Sequence, residues 1–137
     1  MRFLLSFALF LALLCSCAEP KIDAQIIEIA RRDSVIMHVH DEVMPKIAKV
    51  LALRKRIQHK IDSVTSTNNL AHLQTVSYAL TKADAAMMNW MRSYQIPAKS
   101  DTAIAYLEAQ EIEINRISAA IYESIQLADS TLKTIAP

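Results

Sequence analysis

The chain has 137 residues, with 15 Lys and Arg against 14 Asp and Glu, no glycine and two cysteines. A net charge near zero argues against a nucleic-acid partner. A chain without glycine is a poor candidate for tight hairpins, phosphate-cradling loops or dinucleotide-binding turns.

Residues 1–16 read as a secretory signal. Arg2 is the only charge there, and Phe3 to Leu14 is almost wholly apolar but too short to span a bilayer. The segment closes on Leu14-Cys15-Ser16-Cys17, which resembles the bacterial lipobox: a leucine at minus three and a small residue at minus one before a cysteine. Cys17 fits that pattern. Cys15 does not, because Leu14 would take the small-residue place. The resemblance implies that Cys17 is the lipidated first residue of the mature chain, with a thioether-linked diacylglycerol and often a further acyl chain. Several acyl chains anchor stably where one is marginal. Residues 17–20 are then anchor and tether, and 21–137 a helical bundle domain. Both cysteines lie at the anchor, so that domain has no disulfide or thiolate metal site and depends on a hydrophobic core.

The first helix is expected from about Lys21 to Ser63. A 3–4 spacing picks out Ile22, Ile26, Ile29, Asp33, Ile36, His40, Val43, Ile47, Val50, Arg54, Ile57, Ile61 and Val64, a mostly apolar seam. Pro45 lies inside it and predicts a kink or break near Asp41–Pro45. Thr65 to Asn69 reads as a turn, with Asn68-Asn69 capping both neighbours. The second helix is expected from about Leu70 to Tyr94 on a seam of Leu73, Val76, Leu80, Ala83, Met87, Trp90 and Tyr94. Ile96-Pro97 ends it, and Ser100 or Asp101 caps a third helix running to about Thr134. Short connections make neighbours antiparallel. The fold class is therefore all-α: a three-helix up-down-up bundle with a long first helix kinked at Pro45, or a four-helix bundle if the break is complete. The first turns of helix 1 are expected to overhang the bundle beside the lipid.

In a rigid antiparallel bundle, helix 1 residue i faces about residue 133 minus i of helix 2 and about i plus 63 of helix 3, at 1.5 Å per residue. This brings two candidate sites together. The first is a layer of Met37, His40 and Met44 with Met87, Trp90, Met91 and Tyr94, and Tyr106 at the same height. Thioethers and imidazole suit Cu(I), and a Met/His pair can hold haem iron. Methionine also fills helical cores and packs on aromatic rings, which leaves core packing and an adaptable binding groove as the other readings. No C-x-x-C-H is present for covalent haem. His38 shares a helix face with Asp41 and Glu42 and not with His40, so His38, His40, Asp41 and Glu42 fall short of a metal-ligand set.

The second candidate is the basic run Lys46, Lys49, Arg54, Lys55, Arg56 and Lys60, with His59 and no acid before Asp62. Alone it suggests anionic head groups or phosphates. The level map sets it instead beside Glu108, Glu111, Glu113 and Glu123, and predicts an Arg54–Glu111 pair at the seam. No nucleophile–base–orienter set is readable, there is no G-x-S-x-G turn, and no glutamate has a histidine three residues on, as carboxylate-bridged bundles require. No enzyme and no cofactor are expected.

His40-Asp41-Glu42-Val43-Met44-Pro45-Lys46 and Ala86-Met87-Met88-Asn89-Trp90-Met91, behind a lipobox, resemble a group of small Bacteroidetes lipoproteins without an assigned activity. Some of these are labelled "viral A-type inclusion protein", a name that reflects coiled-coil similarity. The resemblance implies location and a helical architecture. In that group the segment after the second motif often carries an acid, where this chain has Ser93-Tyr94-Gln95. The expectation is a lipid-anchored bundle at the bacterial outer membrane, facing the periplasm, that binds or scaffolds an envelope protein. A periplasmic copper or haem carrier and a self-associating coiled coil, the latter through Ile22, Ile26 and Ile29, are the alternatives.

Overall fold

The structure is a computed structural model and describes residues 23–135. The signal segment, Cys17, the tether and Ile22 lie outside the described residues. Among the described residues 86 % are helical and none is in a strand. The helices are α1 (Ala24–Val43), α2 (Lys46–Ser63), α3 (Thr67–Ser93) and α4 (Ala103–Thr134). None of these is long and apolar enough to cross a membrane.

α1 and α2 form one rod bent by 37°. Pro45 has no N–H for the Asp41 carbonyl, and its ring crowds the preceding turn. The ladder recovers with a tighter bond from Ile47 N–H to the Met44 carbonyl at 3.2 Å. Pro45 therefore kinks the rod without separating it, and the bundle has three rods. It is the up-down-up architecture, with α4 as its spine. α1 packs along α4 from its start to about Tyr122, α2 packs on both α3 and α4, and α3 runs antiparallel along α4.

The first connection is Val64–Ser66, with Ser66 as the N-cap residue of α3. Asn68 and Asn69 are helical, which corrects the expected turn. Extended residues at both ends, Val64 and Ser66, reverse the chain. No described residue takes a positive φ, so the absence of glycine costs nothing at these connections. α4 starts at Ala103 behind Thr102, two residues later than a Ser100 cap and one later than an Asp101 cap would place it.

The expected α3 seam is observed from Leu73 to Trp90, with Leu73, Val76, Leu80, Ala83, Met87 and Trp90 buried, while Tyr94 stands just past the helix end and is half-buried. In α2, Leu53 takes the core place given to Arg54. α4 buries a face wider than a single seam, with Ile117, Ser124 and Thr131 buried as well as Ile114, Ile121 and Ala128, because it meets the other three helices.

The level map between α1 and α4 needs correction. Glu111 meets Arg32, Tyr122 meets Glu42 and Asp129 meets Lys49, an offset near 80 where about 63 was expected. Two smaller shifts add. Tyr94 meets Asp33 instead of about residue 39, and His72 meets Thr131 instead of about residue 124. As a result α1 does not overhang. Asp23 pairs with Lys99, Gln25 Nε2 donates to the Ser100 carbonyl at 2.7 Å, and Ile29 is buried. The proposed self-association seam thus loses Ile29 to the core. The Asp23 carboxylate caps α1 by accepting from Gln25 N–H, and its pKa is lowered, first by the Lys99 hydrogen bond.

Candidate functional site

The Met/His/aromatic layer assembles just on the α1 side of the kink. His40 and Trp90 rings are 5.8 Å apart, and Trp90 and Tyr94 stack at 4.7 Å. His40, Trp90 and Tyr94 thus form a ladder across α1 and α3, with centroid spacings typical of paired rings. The polar ends of the ladder are taken. Trp90 Nε1 donates to Gln110 Oε1 of α4 at 2.9 Å, and the Tyr94 hydroxyl donates to Asp33 Oδ1 at 2.6 Å. His40 Nδ1 sits 2.9 Å from Asp41 Oδ1. Tyr106 accepts from Gln95 N–H at 3.3 Å. Met87 is fully buried, and Met37, Met44, Tyr94 and Tyr106 pack against the core. Met91 alone of the eight is turned outward.

This is a filled layer. No buried side-chain nitrogen or oxygen among the described residues lacks a partner. The four residues weighed as metal ligands do not converge. His40 engages Asp41, Glu42 reaches toward the Tyr122 hydroxyl at 3.5 Å, and no three His, Cys, Asp or Glu groups among the described residues come together as a metal would need. Sequence reasoning missed two partners of the ladder. Asp33 carried a signal, as the one acid on a mostly apolar seam. Gln110 carried none, because its role follows from the α3–α4 level alone.

Burial, followed by the Asp33 carboxylate, pushes the Tyr94 hydroxyl above the ordinary phenol range. A raised folded-state pKa contributes stability below the unfolded value, and that contribution is lost as pH rises through the folded value. Tyr94→Phe is expected to cost about 1 kcal/mol at neutral pH, since Asp33 can recover solvent. It should also remove the most alkaline component of the tyrosinate absorbance titration. A titration curve unchanged in shape would count against the Asp33 bond.

The basic run does not meet its expected partners. Arg32 takes Glu108 and Glu111, Glu113 pairs with Arg116 on its own helix, and Arg54 reaches Asp84 at 3.8 Å. The Arg54–Glu111 pair is not formed. Lys49 bonds Asp129 at 2.7 Å, while Lys46, Lys55, Arg56 and Lys60 enter no ion pair among the described residues.

The charges are sorted along the bundle. Pro45 lies near Met87 of α3 by the His40–Trp90 contact and near residue 125 of α4 by Glu42–Tyr122 and Lys49–Asp129, while Trp90–Gln110 and His72–Thr131 set Met87 beside about residue 115, so the boundary on α4 is a band from about 115 to 125. Among the described residues outside that band, nine acids and four Lys or Arg stand on the α1 side, and Arg116 and Glu123 fall within the band. On the α2 side stand eight Lys or Arg and three acids, Asp62, Asp84 and Asp129. The described residues thus divide into one half at −5 and the other at +5. Lys46, Lys49, Arg56 and Lys60 share one flank of α2, beside α4. Lys133 lies one turn beyond Asp129 on that side. No protein-family model, curated protein or solved structure matches the chain, and the reading of its role rests on this geometry.

Proposed function

We propose that the chain is a lipid-anchored binding module of the bacterial envelope, without enzymatic activity, that presents a basic flank to an acidic protein surface. The charge sorting carries the reading. The chain enters the bundle at the acidic end, so an anchor on Cys17 directs the basic half away from the outer membrane into the periplasm. The flank is rich in lysine, whose flexible point charges suit steering and diffuse complementarity more than bidentate recognition. A −5/+5 division also orients the approach of a charged partner before contact. The filled Met/His/aromatic layer supports a structural role for these residues, as the packing that holds the bent rod against α3 and α4. A copper or haem carrier finds no converging ligand set in its support.

The test uses the purified mature protein and polyglutamate as the acidic probe. Lys46, Arg56, Lys60 and Lys133 are changed together to Gln, leaving the Lys49–Asp129 bond in place. Binding to polyglutamate at low salt should weaken at least about tenfold and lose most of its salt dependence, with an unchanged melting temperature. Equal binding by the variant would remove the basic flank as the site.

A further inference from the structure

We infer that the anchor-side end of the bundle rests on the bilayer, with Ile26, Ile27 and Ile96 in contact with lipid. This rests on the reading that Cys17 carries the lipid anchor. Ile26, Ile27 and Ile96 are 51 %, 54 % and 62 % exposed, high values for large apolar side chains among the described residues. They belong to one end. Ile26 and Ile27 lie in the first turn of α1, and Ile96 lies in the α3–α4 connection. The Asp23–Lys99 pair and the Gln25–Ser100 bond tie these two segments together. Pro97 and Ala98 continue the apolar surface of the connection.

The occupant follows from the length of chain beyond this end. Cys17 stands six residues before Asp23, a span of no more than about 20 Å. The rod of α1 and α2, by contrast, runs on the order of 60 Å at 1.5 Å per residue. The anchored end therefore cannot leave the interface, while the basic half is carried away from it. Such a short tether raises the effective concentration of the end at the surface to the millimolar range. An apolar contact too small to recruit a free protein is then populated. Lys99 is already neutralised by Asp23, and this half of the bundle is acidic, so the contact depends on the apolar groups and not on anionic lipid. It should form on zwitterionic bilayers and weaken as anionic lipid is added.

The experiment uses the full lipidated protein, extracted from membranes and reconstituted in phosphatidylcholine vesicles. The domain has no cysteine of its own, so Ile27→Cys, Ile96→Cys and Tyr78→Cys each give one site for a polarity-sensitive fluorophore. Tyr78 is exposed in the basic half and serves as the far-end reference. The mass of the Cys17 peptide is read on the same samples. The expected result is a blue shift and quenching by brominated lipid at positions 27 and 96 and neither at 78. Adding Ile26→Glu should remove the quenching at 96. A lipid-bearing Cys17 with both labels as wet as that at 78 would overturn the seating and leave the anchor standing. Equal quenching at all three would show a bundle lying flat and also overturn it. A Cys17 without lipid overturns both.

Discussion

Trp90→Ala is expected to destabilise the bundle by about 3–5 kcal/mol, the range for removing a large aromatic from a core. Against a total of about 5–15 kcal/mol for a domain of this kind, that is a large fraction of the whole stability. Trp90 is 5 % exposed and touches each part of the anchor-side half: His40 of α1, Tyr94 at the C-terminal cap of its own helix, and Gln110 of α4. Its removal opens a cavity, ends both ring contacts and leaves the Gln110 amide without its donor. Trp90→Phe separates these effects. It keeps an aromatic ring between His40 and Tyr94 and gives up the indole N–H, so a loss of about 1–2 kcal/mol is expected. Urea unfolding followed by far-ultraviolet circular dichroism measures both. If Trp90→Ala lost less than about 1 kcal/mol, the layer would not belong to the cooperative core.

The sequence pattern carried the architecture because burial in a helical bundle follows a 3.6-residue period. Leu73 to Trp90 could be read as one buried face, and Pro45 as a kink or break, from local chemistry alone. The members of the aromatic layer were legible for the same reason, since Met37, His40 and Met44 recur on one face and Met87, Trp90 and Tyr94 on another. Register was not legible. An antiparallel pair slides by whole turns with little change in which face is buried, and the nine residues Tyr94–Thr102 between α3 and α4 set no fixed level. The ion pairs inherited that error, because each depends on two levels at once. The charge sorting was hidden for a different reason. Its two halves are each built from separated segments of chain, so it appears only when α1 is set beside the start of α4.

Arg32→Met shows how much of that register is fixed by charge. It is expected to cost about 2 kcal/mol, between the small value of a surface pair and the larger cost of breaking a buried one. Arg32 is only 18 % exposed and holds Glu28 at 2.8 Å, Glu108 at 2.8 Å and Glu111 at 3.3 Å. It is the cation that joins α1 to α4 in the acidic half. Methionine keeps most of the aliphatic stem but leaves three carboxylates facing one another, with Arg31 on Glu28 alone. The acid limb of stability supplies a second readout. Hydrogen bonds from Arg31, its charge, and then Arg32 hold the Glu28 carboxyl down to about 2, below its ordinary 4.5. A lowered folded-state value contributes stability above the unfolded value and loses it as pH falls through the folded one. Wild-type stability should therefore decline between about pH 4.5 and about pH 2, and Arg32→Met should flatten that decline, because protonation relieves the repulsion it creates. Melting curves across that window measure the difference. A loss that stays the same at both ends of the window would assign the cost to packing of the arginine stem, and α1 would then be held on α4 by Ile29, Ile36 and Val43 without help from charge.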